Sequence, residues 1–94
     1  MNTQLNQLIP KKTIILGFEK HYLKNKCYNI PIIQSFICND FQVCFYCNFC
    51  LRFHYHGRSY NGIGDGHRSC HCALQESPFY QTGYILKLNQ EQTQ

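Results

Sequence analysis

The residues able to do chemistry sit in two blocks. Cys47-Asn48-Phe49-Cys50 is followed by His54, His56 and Gly57, and Gly66-His67-Arg68-Ser69-Cys70-His71-Cys72 comes after a gap. A CxxC turn is short enough for two thiolates to bind one ion while backbone N–H groups stabilise their charge. A structural zinc needs four such Cys or His ligands in a tetrahedron, and closing a fold takes ligands from a distant segment. Six residues qualify: Cys47, Cys50, His54, His56, His71 and Cys72. Cys47 and Cys50 come first, and Cys72 brings in the second segment. The fourth place falls to His54, His56 or His71, with His56 preferred. Histidines left over would hydrogen-bond around the site or lie at the surface. Cys44, three residues before Cys47, ranks lower. His67 and Cys70 could also serve, although His67 after a glycine-rich turn reads better as a loop holder. Cys27 and Cys38 read as buried thiols, and His21 as a solvated side chain.

The competing use of cysteine is a disulfide framework. The chain has seven Cys, an odd number, with His interleaved among them, and its N-terminus shows no signal pattern. The expectation is a cytoplasmic protein with reduced thiols and bound Zn2+. At 94 residues the chain makes one domain. A domain this short buries only about 60–65% of its unfolded surface, so a metal staple is physically reasonable. No apolar run approaches the roughly 18 residues of a membrane span, and no membrane partner is expected.

The elements that must position these residues read as strands. Residues 1–12 form a flexible arm, residues 13–88 the zinc-bound domain with a ribbon core at 41–88, and residues 89–94 a disordered tail. Thr13–Phe18 and Ile30–Cys38 are β-branched and apolar. Residues 19–29 are polar and basic and read as a loop or hairpin arm, with Asn25 suited to its turn. Asn39-Asp40 marks the tip of a hairpin into Phe41–Phe45. Over 52–56, Arg52, His54 and His56 alternate with Phe53 and Tyr55. Both histidines therefore share the knuckle's face, while the aromatic pair would build the core. Tyr84–Leu88 is a last strand. The predicted fold is small and mainly β, a zinc-ribbon-like antiparallel sheet of 41–45, 52–56 and 84–88, with 13–18 and 30–38 as an added hairpin or edge and little helix.

The order CxxCxxxHxHG, GHRxxHC and GYxL resembles a family of small zinc-ribbon-like proteins of bacteria, phages and mobile elements. Cys47, Cys50, His54, His56 and Gly57 carry the first block; Gly66, His67, Arg68, His71 and Cys72 the second; Gly83, Tyr84 and Leu86 the third. The match covers about half the chain, residues 41–88. Asn48 replaces the family's usual Pro, and Leu51 its usual Gly after the second Cys. The resemblance implies zinc binding and no particular activity.

The net charge is +4, and all three Arg lie in the metal stretch while Lys20, Lys24 and Lys26 form a patch upstream. Arg52, Arg58 and Arg68 interleave with Phe53, Tyr55 and Tyr60. Arg with aromatics equips a surface to grip single-stranded nucleic acid, so Arg52, Arg58, Tyr60 and Arg68 are the candidate contacts. The bland alternative is that Phe53 and Tyr55 are core and the Arg residues hold carbonyls. Gly62-Ile-Gly64-Asp-Gly66 lacks the ending of a phosphate loop and reads as a return loop. Asp65 and His67 beside a zinc admit a metal-dependent nuclease or hydrolase, but a Cys-saturated zinc keeps no open position. The first reading is thus a zinc-stabilised nucleic-acid-binding domain. The second is a protein-interaction or inhibitor module acting on a host or defence complex, and an enzyme comes third. A small-molecule substrate is not expected.

Overall fold

The structure is a computed structural model that describes residues 9–58, 62–70, 72 and 76–89. The strands are β1 (Ile15–Leu23), β2 (Lys26–Asn39), β3 (Gln42–Cys47), β4 (Arg52–Gly57), β5 (Gly66–Arg68) and β6 (Tyr84–Leu88). Among the described residues there is no helix, and none long and apolar enough to cross a membrane. The mainly β expectation therefore holds.

β2 is the spine. Its fourteen residues pair with β1 along one part and with β3 along another, and with β6 between. The sheet runs β4-β3-β2-β6-β5, with β1 beside β2. Two expectations change here. The sheet is not purely antiparallel, because β6 runs parallel to β2, Ile32 opposite Ile85 through Ser35 opposite Leu88. Nor does β6 join β3 and β4 directly, since β2 lies between them. A parallel pairing needs a long crossover, and residues 40–83 supply it.

The segment 19–29 is strand for most of its length. Lys24 and Asn25 both take positive φ, 52° and 66°, and make the two-residue turn that joins β1 to β2. Asn25 sits where the sequence placed it. Polar residues fill the flanking strands because β6 reaches β2 only from Ile32 onward, so Lys26–Pro31 with β1 project as a two-stranded arm.

At the other end of β2, Asn39 Oδ1 accepts the Phe41 N–H at 2.9 Å and closes the turn into β3. Phe41 stays at the tip, 60% exposed, rather than joining Val43 and Phe45. β3 is covered on both faces. Val43, Phe45 and Cys47 face the main core with Ile33, Cys72, Phe79, Tyr84, Leu86 and Leu88. Cys44 faces a second cluster with Ile9, Phe36 and Cys38. Ile9 thus fixes the end of the segment read as an arm; residues 1–8 lie outside the described residues, as do 90–94 of the expected tail. Thr13 ties the same segment to the knuckle: its hydroxyl donates to the Tyr46 carbonyl at 2.7 Å and accepts the Asn48 N–H at 2.8 Å.

Candidate metal centre

β3 and β4 set the site. In their register Cys47 lies opposite Arg52, Phe45 opposite His54 and Val43 opposite His56. Alternation then sends Cys47, His54 and His56 to one face, as the sequence implied. That face is the core. His54 and His56 are buried, whereas Tyr55 is 47% exposed and Phe53 is half-buried. Of the aromatic pair expected to build the core, Phe53 packs half-buried against the second cluster and Tyr55 lies outside, because Tyr84, Phe79 and Phe45 fill the inner face instead.

The knuckle closes without the turn residues its resemblance called for. Leu51 takes the left-handed conformation, φ 58°, at the position where a glycine is usual. Its N–H donates to the Cys47 carbonyl at 2.8 Å, and the Cys50 N–H donates to the Cys47 sulfur at 3.4 Å. The backbone therefore supplies the thiolate-stabilising donors itself.

Four candidate ligands converge: Cys47, Cys50, His54 and Cys72, with their ligand atoms all within 4.8 Å of one another. The Cys47 and Cys72 sulfurs are 3.8 Å apart. Ligands at about 2.3 Å from a tetrahedral ion stand about 3.8 Å from each other, whereas a disulfide would hold them at about 2 Å. All seven cysteines are free. Burial, the largest influence, pushes the Cys47 thiol up despite the N–H donors that favour its thiolate, and it pushes Cys72 up as well. Three sulfurs and an imidazole crowded into a buried site need either their protons or a cation. A metal ion fits the donor set, and these residues could hold one.

The preference for His56 is corrected. His56 Nε2 is 2.5 Å from the Tyr84 hydroxyl, and that hydroxyl is 3.4 Å from His54 Nδ1. Tyr84 is fully buried, with its ring edge-on to Phe45 at 5.0 Å and to Phe79 at 5.7 Å. Its hydroxyl joins the histidine in the cluster to the histidine outside it. Sequence reading missed this role for Tyr84; the signal was a tyrosine at the head of the alternating apolar face it shares with Leu86 and Leu88. His71 lies outside the described residues, as does Tyr60. Cys70 is not in the cluster, and its sulfur accepts the Cys72 N–H at 3.0 Å, turning Cys72 toward the site. Cys44 faces away from the knuckle, and the Cys38 and Cys44 thiols share a hydrogen bond that holds Cys38 low and Cys44 high. Cys27 is exposed, not buried.

The residues around the site are largely structural. Arg58 donates from Nη1 to the Asn39 carbonyl at 2.9 Å and from Nε to the Gly62 carbonyl. Arg68 donates to the Gly57 and Gly64 carbonyls at 3.0 and 2.8 Å. These two side chains organise the glycine-rich loop. Arg52 is exposed. Asp65, which a hydrolase would use, accepts the Leu88 N–H at 2.7 Å. His67 Nε2 donates to the Thr82 carbonyl at 2.8 Å and so holds the loop, as read. Gly83, at φ 69°, makes this possible: a Cβ there would collide with the Arg68 carbonyl and lie 2.9 Å from His67 Nε2. His21 is exposed, with Nε2 2.6 Å from a Glu19 oxygen.

No protein-family model, curated protein or solved structure matches the chain. What the geometry defines is a class: a small mainly β protein with a buried three-cysteine, one-histidine cluster able to hold a metal ion.

Proposed function

We propose that this is a zinc-stapled binding domain whose partner is nucleic acid. The zinc part is carried by the cluster of Cys47, Cys50, His54 and Cys72. Three soft sulfur ligands and an imidazole gathered this closely favour zinc over hard cations. All four places are taken by protein ligands, so the ion would fasten the β3–β4 hairpin to the segment at Cys72 and leave no site for substrate. The resemblance of the Cys/His blocks to zinc-ribbon-like proteins of bacteria, phages and mobile elements supports the same reading.

The partner is argued from where cations remain in solvent. Arg58 and Arg68 spend donors on carbonyls. Lys11, Lys12, Lys20, Lys24 and Lys26, five of the nine cationic residues, lie on or beside the β1–β2 arm, where Glu19 is the one acid. All five are exposed. An exposed cluster of cations with a single acid attracts a polyanion. The basic surface therefore shifts from the metal stretch to the arm. A protein-docking reading has its own support in β1, which among the described residues pairs with β2 alone and leaves its other edge open, with Ile15, Leu16 and Phe18 exposed.

Metal analysis of the purified protein tests the staple: one zinc per chain, lost together with the fold in chelator, is expected. A zinc-free protein that keeps its fold in chelator would refute it. Titration with oligonucleotides at two salt concentrations tests the partner, because affinity should fall steeply as salt rises. Salt-insensitive capture of one protein would instead favour the docking reading.

A further inference from the structure

At the root of the arm is a cleft of about 490 Å³ lined by His21, Tyr22, Tyr28, Ile30, His67, Gln81 and Thr82. Three separate parts of the chain build it. In the hairpin register His21 lies opposite Tyr28 and Glu19 opposite Ile30, so these share one face of the arm with Lys26. The opposing wall is His67 of β5 and the turn before β6, joined by the His67–Thr82 hydrogen bond. Gly83 keeps the space that seats His67 there. The volume falls in the usual range for a small-ligand site, with rings for walls and a few polar groups among them.

Cations outnumber acids around it. Lys24 and Lys26 stand exposed at the arm's tip beyond Tyr22 and Tyr28. The nearest acid, Glu19, is engaged by His21 at 2.6 Å. Aromatic walls accept the flat face of a base, and flanking ammonium groups accept the phosphates on either side of it. A duplex keeps its bases stacked and cannot offer one to a cleft of this kind, whereas a single strand can.

We infer that this cleft seats an unpaired nucleobase, with His21 and Tyr28, which share one face of the arm, against the ring and Lys24 and Lys26 on neighbouring phosphates, so that the protein selects single-stranded nucleic acid. The inference rests on the nucleic-acid reading above and names its site and substrate class. It places the contact surface on the arm, away from Arg52, Arg58 and Arg68.

The test is fluorescence anisotropy of the zinc-loaded full chain with labelled oligodeoxythymidine, oligouridine and a duplex, alongside anionic vesicles. Tyr28 belongs to neither core cluster, so Tyr28→Ala leaves the core intact, and zinc stoichiometry checks the fold of every variant. Tyr28→Ala should weaken single-strand binding about tenfold. Lys24→Gln with Lys26→Gln should lower the slope of log affinity against log salt by about 1.4. Arg52→Ala should change neither. Wild-type binding that is equal for duplex and single strand, or unmoved by the arm variants, overturns the inference while the nucleic-acid reading stands. Wild-type protein that binds no oligonucleotide, or binds vesicles alone, overturns both.

Discussion

His54→Ala and His56→Ala should separate two kinds of damage. The histidines are two residues apart, on one strand and one face, and both are buried. Only His54 belongs to the four-ligand cluster. A structural zinc contributes about 10–16 kcal/mol through four ligands, so one ligand is worth about 3 kcal/mol, or roughly two decades of affinity. His54→Ala should therefore weaken zinc about 100-fold, and the protein should lose metal on dilution against a chromophoric chelator. His56 lies outside the cluster and is linked to it by the Tyr84 hydroxyl, through a 2.5 Å bond to Nε2 and a 3.4 Å contact onward to His54. Removing that buried hydrogen bond and leaving a cavity costs about 1–3 kcal/mol of folding stability. Its effect on zinc, acting through an outer partner, should stay at about tenfold or less. Chelator competition reads the first quantity, and denaturant midpoints of the zinc-loaded proteins read the second. If His56→Ala releases zinc 100-fold more readily while His54→Ala keeps wild-type affinity, the ligand assignment is wrong.

Three further outcomes follow from the same geometry. Leu51→Gly should raise stability by about 0.5–1 kcal/mol, since relief at φ 58° exceeds the entropy glycine adds to the unfolded chain and a side chain 73% exposed loses little packing; an unchanged or lower denaturation midpoint would contradict this. Zinc affinity should fall by about three decades per pH unit below about pH 8, because three thiols must each lose a proton and burial raises two of them, Cys47 and Cys72. Binding zinc requires these thiols as thiolates, so the stability zinc supplies is present above about pH 8.5 and lost as pH falls; in metal-free protein that stays folded burial raises Cys47 and Cys72, and stability is lost as pH rises instead. A shallow proton dependence in chelator titrations would show fewer thiolate ligands. With zinc bound, a thiol reagent should modify Cys27 first, and chelation should then expose Cys47, Cys50 and Cys72 to it; mass mapping that finds Cys47 modified ahead of Cys27 in loaded protein would refute the burial of the site.

The strands were legible where side chains alternate over a buried face. His54 and His56 against Phe53 and Tyr55, and Tyr84, Leu86 and Leu88 against Ile85 and Lys87, follow period two, and their burial follows with it. The arm was less legible because both of its faces meet solvent over Glu19–Asn29. Its backbone is satisfied by pairing and by the turn at Lys24 and Asn25, neither of which needs apolar side chains. The parallel match of β6 to β2 has no local signature, since it depends on which edge of β2 is left after β1 and β3 have paired. Tyr55 stays exposed and Phe53 reaches only the smaller cluster for a related reason. Alternation says which residues share a face, but a strand alone does not say which face another element will cover, and here Tyr84 and Phe79 cover the histidines.

The identity of the fourth ligand was open on alternation alone but is constrained once the hairpin's register is fixed. The knuckle ties Cys47 opposite Arg52, and each further pair of residues along β4 moves a side chain about 7 Å from that rung. His54 is one such step away and His56 two, about 13 Å along the strand. Thiolates and imidazoles sharing one ion must bring their ligand atoms within about 4 Å. A side chain can lean back across one step of the pleat to meet that limit, and two steps exceed its reach. A CxxC knuckle that opens directly into a paired strand therefore selects the histidine four residues after its second cysteine and leaves the one at six to support it. In this chain that support is tangible, because His56 meets the Tyr84 hydroxyl that in turn meets His54. Both histidines of the HxH pair are thereby explained by one site, the first as a ligand and the second as a buried partner of the tyrosine beside it.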